Sequence, residues 1–116
     1  MITIQGRLPS LNEYINKCRH DRYAGAGFKR KVENDIMWQI KINASIKTPC
    51  ELKMTFYEPN KRRDYDNIVS AKKYILDAME KLGIIPRDSQ KHITRIYDEV
   101  LIDKDNPRVT VEVLYG

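Results

Sequence analysis

The apolar residues of this chain change their spacing several times along its 116 residues, and the order of these spacings limits the folds available to it. Alternation of apolar and polar residues predicts strands over residues 2–7, 51–58, 92–102 and 108–114. Apolar residues spaced three and four apart predict helices over residues 28–46 and 66–82, and Ser10 is a candidate N-cap for a helix over residues 11–17. The order β-α-α-β-α-β-β predicts an α+β fold, with helices packed on a mixed four-stranded β-sheet.

Turn-forming residues separate these predicted elements. Residues 18–27 contain two glycines and several basic side chains, so we expect a loop between the first two helices. Gly83 is expected to end the last helix, and residues 84–90 to form a loop after it. The length suits one domain over residues 1–116, with room for one hydrophobic core.

The chain is basic, with a formal net charge of +5 and a sequence pI of about 9.2. An anionic partner, with nucleic acid as the first candidate, fits this charge, although many small basic proteins bind no DNA. Cys18 and Cys50 form no metal-ligand spacing, so isolated thiols in a reducing compartment are expected. No apolar run approaches the ~20 residues of a membrane span, and no signal peptide is recognised, so we expect a cytoplasmic protein without a membrane contact.

Three basic residues directly precede two carboxylates in the segment after the second predicted strand. Asp64 and Asp66 stand two residues apart, and Lys61, Arg62 and Arg63 come before them. Mg²⁺ prefers oxygen ligands, so the two aspartates are candidate ligands for Mg²⁺, with Mn²⁺ as an alternative. The basic run would attract the phosphates of DNA. The competing interpretation is that the aspartates only cap a helix and the basic run is a solvated face.

Helix geometry extends this segment into a larger candidate site. Lys73 returns to nearly the same face as Asp66, whereas Lys72 points about 120° away, towards solvent or the DNA backbone. Asp77, one turn beyond Lys73, is placed to hold its ammonium group. Asp88, in the loop after the helix, is a candidate third carboxylate ligand. An ordinary surface ion pair and a turn-forming aspartate are the alternatives for these last two residues.

Several segments stand in the order of a known family signature, over nearly the whole chain. The chain resembles the RusA-type Holliday junction resolvases in Leu8–Tyr14 (LPSLNEY), Arg63–Asn67 (RDYDN), Lys73–Met79 (KYILDAM), Gly83 and Asp88–Gln90 (DSQ). Members of that family are homodimeric, Mg²⁺-dependent crossover junction endodeoxyribonucleases. They act in DNA recombination and repair by cutting four-way DNA junctions with paired symmetric nicks.

The resemblance implies roles for individual residues. Asp64, Asp66 and Asp88 match the metal-binding aspartates, and Lys73 matches the catalytic lysine. The gap between Asp66 and Lys73 is longer than family members often have, by about one helical turn. Arg87 stands where an acidic residue is often found, which removes a negative charge beside the third ligand.

The expected reaction is phosphodiester hydrolysis, in which Lys73 neutralises charge that develops on the phosphate or on the leaving oxygen. A set of polar and basic residues is expected to bind the DNA: Asn12, Tyr14, Arg19, Arg22, Lys61, Arg62, Arg63 and Lys72. For Asn12 and Tyr14, a hydrogen bond at the helix start and a packed ring are equally weighted alternatives. No serine or histidine has the setting of a covalent nucleophile.

Two cuts in a two-fold junction call for two sites, so a homodimer is expected, with its interface on a strand of the second half or on the helix that carries Trp38. A non-catalytic DNA-binding module and a metal-dependent nuclease of flaps or other branched DNA remain the rival functions.

Overall fold

The computed structural model describes residues 1–40 and 45–114, and their elements follow the predicted order. The elements, in chain order, are β1 (Ile2–Gln5), α1 (Leu11–His20), α2 (Arg22–Gln39), β2 (Cys50–Glu58), α3 (Tyr65–Val69), α4 (Lys72–Lys81), β3 (Ile93–Ile102) and β4 (Arg108–Leu114). The α+β fold is therefore confirmed, with the last predicted helix divided into α3 and α4. None of the helices in this part of the chain combines the length and apolar character needed to cross a membrane.

The four strands form one mixed sheet in the order β1-β4-β2-β3. The central strand β2 runs antiparallel to β4, with Phe56 opposite Val109, and parallel to β3, with Phe56 opposite Val100. β1 pairs antiparallel with β4 at the other edge. The predicted mixed four-stranded sheet is thus confirmed, and the chain leaves the carboxyl end of β2 directly into the candidate site.

The core lies between one face of this sheet and the helices. Leu52, Met54 and Phe56 of β2 alternate towards it, as strand geometry requires, and Ile36 of α2 and Ile75 of α4 meet them. Removing each such side chain from water stabilises the folded state by about 1.5–3 kcal/mol. This packing fixes α4, which carries Lys73, against the sheet.

The predicted loop over residues 18–27 is wrong, because helix α1 continues to His20 and α2 begins at Arg22. The chain turns at Asp21 alone, whose side chain caps α2 by accepting a hydrogen bond from the Tyr23 backbone at 2.9 Å. Gly25 lies against α1, where an added Cβ would come within 2.5 Å of the Cys18 sulfur. This glycine permits close packing of two helices, which is why it does not mark a loop.

The predicted helix over residues 28–46 ends earlier, at Gln39, because Ile40 has an extended backbone. Residues 41–44 of that prediction lie outside the described residues. The N-cap prediction for Ser10 is confirmed, since its hydroxyl accepts from the Glu13 backbone at 3.2 Å in a capping box.

The predicted helix over residues 66–82 is interrupted at Ser70 and Ala71. The Ser70 hydroxyl donates to the Asn67 carbonyl at 2.9 Å, and the backbone N–H groups of Ala71, Lys73 and Tyr74 donate to carbonyls three residues back. Such tighter bonding changes the angle between successive residues from that of an α-helix. The break therefore resets the direction in which the lysines of α4 point.

Candidate active site

Asp64 and Asp66 lie at the start of α3, and both are exposed to solvent. Asp64 occupies the N-cap position, but its side chain makes no capping hydrogen bond, so capping does not account for this residue. Asp66 stands in the first turn and accepts a hydrogen bond from the Asn67 backbone at 3.0 Å. Both carboxylates are thus available to a ligand in solvent.

The neighbours of Asp64 anchor this segment on both sides. Arg63 donates to the Leu8 carbonyl at 2.8 Å and to the Glu13 carboxylate at 2.7 Å. The Tyr65 hydroxyl donates to the Asp98 carbonyl of β3 at 3.0 Å. Both contacts of Arg63 are with other parts of the protein. They support a role in positioning Asp64, and not the contact with a phosphate that was expected for Arg63.

Lys72 does not point to solvent as expected. Its ammonium group lies 2.8 Å from the Asp98 carboxylate of β3, and the side chain is half-buried. The break at Ser70 and Ala71 accounts for this, because a phase angle counted along one continuous helix no longer applies beyond it. Lys72 and Tyr65 therefore hold α3 and α4 against the edge strand.

Lys73 lies between two carboxylates, with its nitrogen 2.9 Å from Asp88 Oδ2 and 3.1 Å from Asp77 Oδ1. The expected pairing with Asp77 is confirmed. Asp88 reaches Lys73 because Ile84 and Ile85 are buried and draw the loop back against the core. The hydrogen bonds to Asp88 and then to Asp77 raise the pKa of Lys73, so its ammonium stays charged throughout the physiological range.

Three residues that the sequence did not single out extend this contact into α2. Lys29 lies 2.9 Å from Asp77 Oδ2 and 3.8 Å from Glu33, and Lys81 lies 2.7 Å from Glu33. We call the resulting series of alternating charges the ion-pair chain: Lys81, Glu33, Lys29, Asp77, Lys73 and Asp88. The one signal in the sequence was the i, i+4 spacing of Lys29 and Glu33 among apolar residues of α2.

The carboxylates of the candidate site meet the needs of a divalent cation only in part. Asp64 and Asp66 supply the oxygen atoms that Mg²⁺ prefers, and both are open to solvent. Within residues 1–40 and 45–114, no three His, Cys, Asp or Glu side chains form a group that could hold one metal ion. Asp88 lies with Lys73, so the structure does not bring the three predicted ligands into one cluster. The donor chemistry fits a cation at Asp64 and Asp66, and Asp88 would join it only by giving up Lys73.

Tyr14 is half-buried, and its ring packs edge-on against Tyr74 at a centroid distance of 6.4 Å. Both rings line a cavity of about 150 Å³ beside the site, with Leu11, Lys29, Ser70 and Lys73. The ring packing that the alternative predicted for Tyr14 is thus present, and its contact with DNA stays a prediction. The other predicted DNA-binding residues are exposed: Asn12, Arg19, Arg22, Lys61 and Arg62.

Comparison with known proteins agrees with the family resemblance. A family model described as Endodeoxyribonuclease RusA matches residues 7–114, which is nearly the whole chain. None of the curated proteins matches the chain. The matched span contains the Asp64–Asp66 segment, Lys73 and Asp88.

Proposed function

The chain belongs to the RusA endodeoxyribonuclease family, and on that premise we propose that it resolves Holliday junctions during recombination and repair. The reaction would be hydrolysis of one phosphodiester bond in each of two strands, giving paired symmetric nicks. The observation that carries the proposal is the Lys73 ammonium, placed between Asp77 and Asp88 at 3.1 and 2.9 Å. Two backbone hydrogen bonds connect this lysine to the exposed aspartates. The Ser70 N–H donates to the Asp66 carbonyl, and the Lys73 N–H donates to the Ser70 carbonyl.

In this proposal Asp64 and Asp66 would hold Mg²⁺, or Mn²⁺ in its place, and Asp88 would join them by giving up its contact with Lys73. When bound, the cation supplies a Lewis acid and lowers the pKa of a bound water. Lys73, freed from Asp88, places its positive charge against the phosphate or the leaving oxygen. Arg63 and Tyr65 keep the aspartate segment in place, because their hydrogen bonds tie it to Leu8, Glu13 and β3.

Exposed basic side chains next to the site would bind the DNA backbone. Lys61 and Arg62 directly precede the aspartate segment, and Arg19 and Arg22 flank the turn between α1 and α2. Such contacts go to phosphates and fit recognition of a branched shape without reading of bases. Two nicks in a two-fold substrate call for a homodimer, and Trp38 of α2, 84% exposed, is a candidate for its interface.

A cleavage assay on a synthetic mobile junction tests the proposal, with a flap and a linear duplex as comparison substrates. We expect two symmetric nicks in the junction with Mg²⁺ and none with Asp66→Asn. Asp35→Asn, at an exposed position of α2, is the matched control and should cut like the wild type. Equal cutting by Asp66→Asn and wild type would contradict the proposal, and a preference for the flap would assign the activity to another branched substrate.

A further inference from the structure

We propose that Lys29 of α2 is a positioning residue for Lys73. By binding one oxygen of Asp77, Lys29 limits how strongly Asp77 attracts the Lys73 ammonium, which leaves that ammonium shared with Asp88. The catalytic consequence rests on the proposed nuclease function, whereas the position of the ammonium can be measured without any substrate.

The geometry divides Asp77 between two lysines. Its Oδ2 atom lies 2.9 Å from Lys29 and its Oδ1 atom lies 3.1 Å from Lys73, so the two oxygens contact different ammonium groups. The Asp77 side chain is only 13% exposed, so water screens these contacts less than it would at the surface. The two lysines come from different helices and therefore meet only through the fold.

Lys29 is itself held in place. Glu33, one turn along α2, is 2% exposed and lies 2.7 Å from Lys81 near the end of α4. This contact of a buried carboxylate ties α2 to α4, and Glu33 also lies 3.8 Å from Lys29. The Lys29 ammonium thus lies between two carboxylates, Asp77 and Glu33, which favours its position beside Asp77.

Without the Lys29 charge, the full negative charge of Asp77 would act on Lys73. The Lys73 side chain is 62% exposed and can turn towards either carboxylate, so its position depends on the balance between Asp77 and Asp88. Loss of Lys29 shifts that balance to Asp77 and draws the ammonium away from Asp88. An ammonium held by the full charge of Asp77 is less able to turn to a phosphate when Asp88 releases it, and catalysis depends on that orientation.

Nuclear magnetic resonance of the lysine side chains measures this balance directly. The reporter is the ζ-nitrogen chemical shift of Lys73, assigned from the signal that Lys73→Arg removes. We expect Asp88→Asn to move this shift in the wild type, and to move it much less in a Lys29→Met background. Equal movement in the two backgrounds would overturn the proposal, whatever the protein does to DNA.

The catalytic arm uses the same variants on the junction substrate. Lys29→Met should lower kcat about ten-fold with little change in KM, because the group that acts on the phosphate is misplaced. Lys29→Arg should restore kcat, since arginine returns the charge to Asp77. Lys31→Met, an exposed lysine of the same helix, should leave kcat and the Lys73 shift unchanged. An unchanged kcat in Lys29→Met, or no rescue by arginine, would overturn the positioning role.

The two arms separate the inference from the nuclease proposal. A wild-type protein that cuts none of the DNA substrates would refute the proposed function, while the chemical shifts would still decide whether Lys29 sets the position of Lys73. Thermal unfolding of each variant identifies any loss that comes from misfolding.

Discussion

Replacing Asp77 with asparagine removes the shared negative charge of the ion-pair chain and keeps the shape of the side chain. Lys29 and Lys73 then lose a partner at 2.9 and 3.1 Å. Partial burial of the Asp77 carboxyl opposes its ionisation, but the hydrogen bonds from Lys29 and Lys73 outweigh this and lower its pKa. The carboxylate is therefore a net stabilising charge, and its loss should reduce the free energy of unfolding.

The size of the loss follows from how exposed the partners are. A hydrogen bond between charged groups contributes about 1.5–3 kcal/mol when sheltered, and an exposed ion pair about 0.2–1 kcal/mol. Lys73 is largely exposed and keeps Asp88 at 2.9 Å, so its share is small. Lys29 is more sheltered and keeps only the longer contact with Glu33 at 3.8 Å, so its share is larger. We expect a loss of about 1–2 kcal/mol, which corresponds to a fall in Tm of about 4–8 °C for a domain of this size.

The pH dependence separates lost charge from lost shape. Because the pKa of Asp77 is lower in the folded than in the unfolded protein, its stabilisation is complete above the ordinary value of 3.8 and disappears as the pH falls through the folded value. Urea unfolding of wild type and Asp77→Asn should thus give a constant difference from about pH 5.5 to pH 8, and a smaller one below about pH 4. A difference near zero at pH 7, or one that stays unchanged into acid, would refute this account of Asp77.

Three further substitutions test other parts of the structure. Tyr65→Phe should lower kcat on the junction while costing at most about 1 kcal/mol in urea unfolding, because it removes only the hydroxyl that reaches β3. Met79→Ala should cost about 2–5 kcal/mol in the same assay, since Met79 is 0% exposed and its removal leaves a cavity in the core. Gly25→Ala should cost about 1–3 kcal/mol, because its Cβ would collide with Cys18, and calorimetry should record a lower Tm.

The order of elements could be predicted from the sequence because apolar spacing reflects which face of each element is buried. The alternation of Leu52, Met54 and Phe56 marks β2, and these three residues do line the core. The same reasoning gave a wrong prediction around Gly25, where a loop was expected and α2 is found. Glycine disfavours helix by its local properties, and only the position of α1 explains why a side chain at residue 25 would not fit.

The candidate site could be predicted as far as it depends on neighbours along the chain. The pair of Lys73 and Asp77 follows from helical spacing, and the return of Asp88 follows from the short apolar loop before it. The contacts of Arg63 with Glu13, and of Lys29 with Asp77, join residues that are distant in sequence. Charge pattern alone assigns such residues to solvent or to DNA, since it does not reveal which carboxylate lies across the fold.

The break at Ser70 and Ala71 also explains how a longer gap between the second aspartate and the lysine is accommodated. Lys72 and Lys73 are consecutive in α4, so they point about 100° apart. Lys72 is directed to Asp98 on the edge strand at 2.8 Å, and Lys73 to Asp88 and Asp77. Only one of the two ammonium groups can therefore face the loop that carries Asp88. The tight turn lies between Asp66 and Lys73, and it sets the directions in which Lys72 and Lys73 point. Lys73, and not Lys72, is therefore the lysine that reaches Asp88.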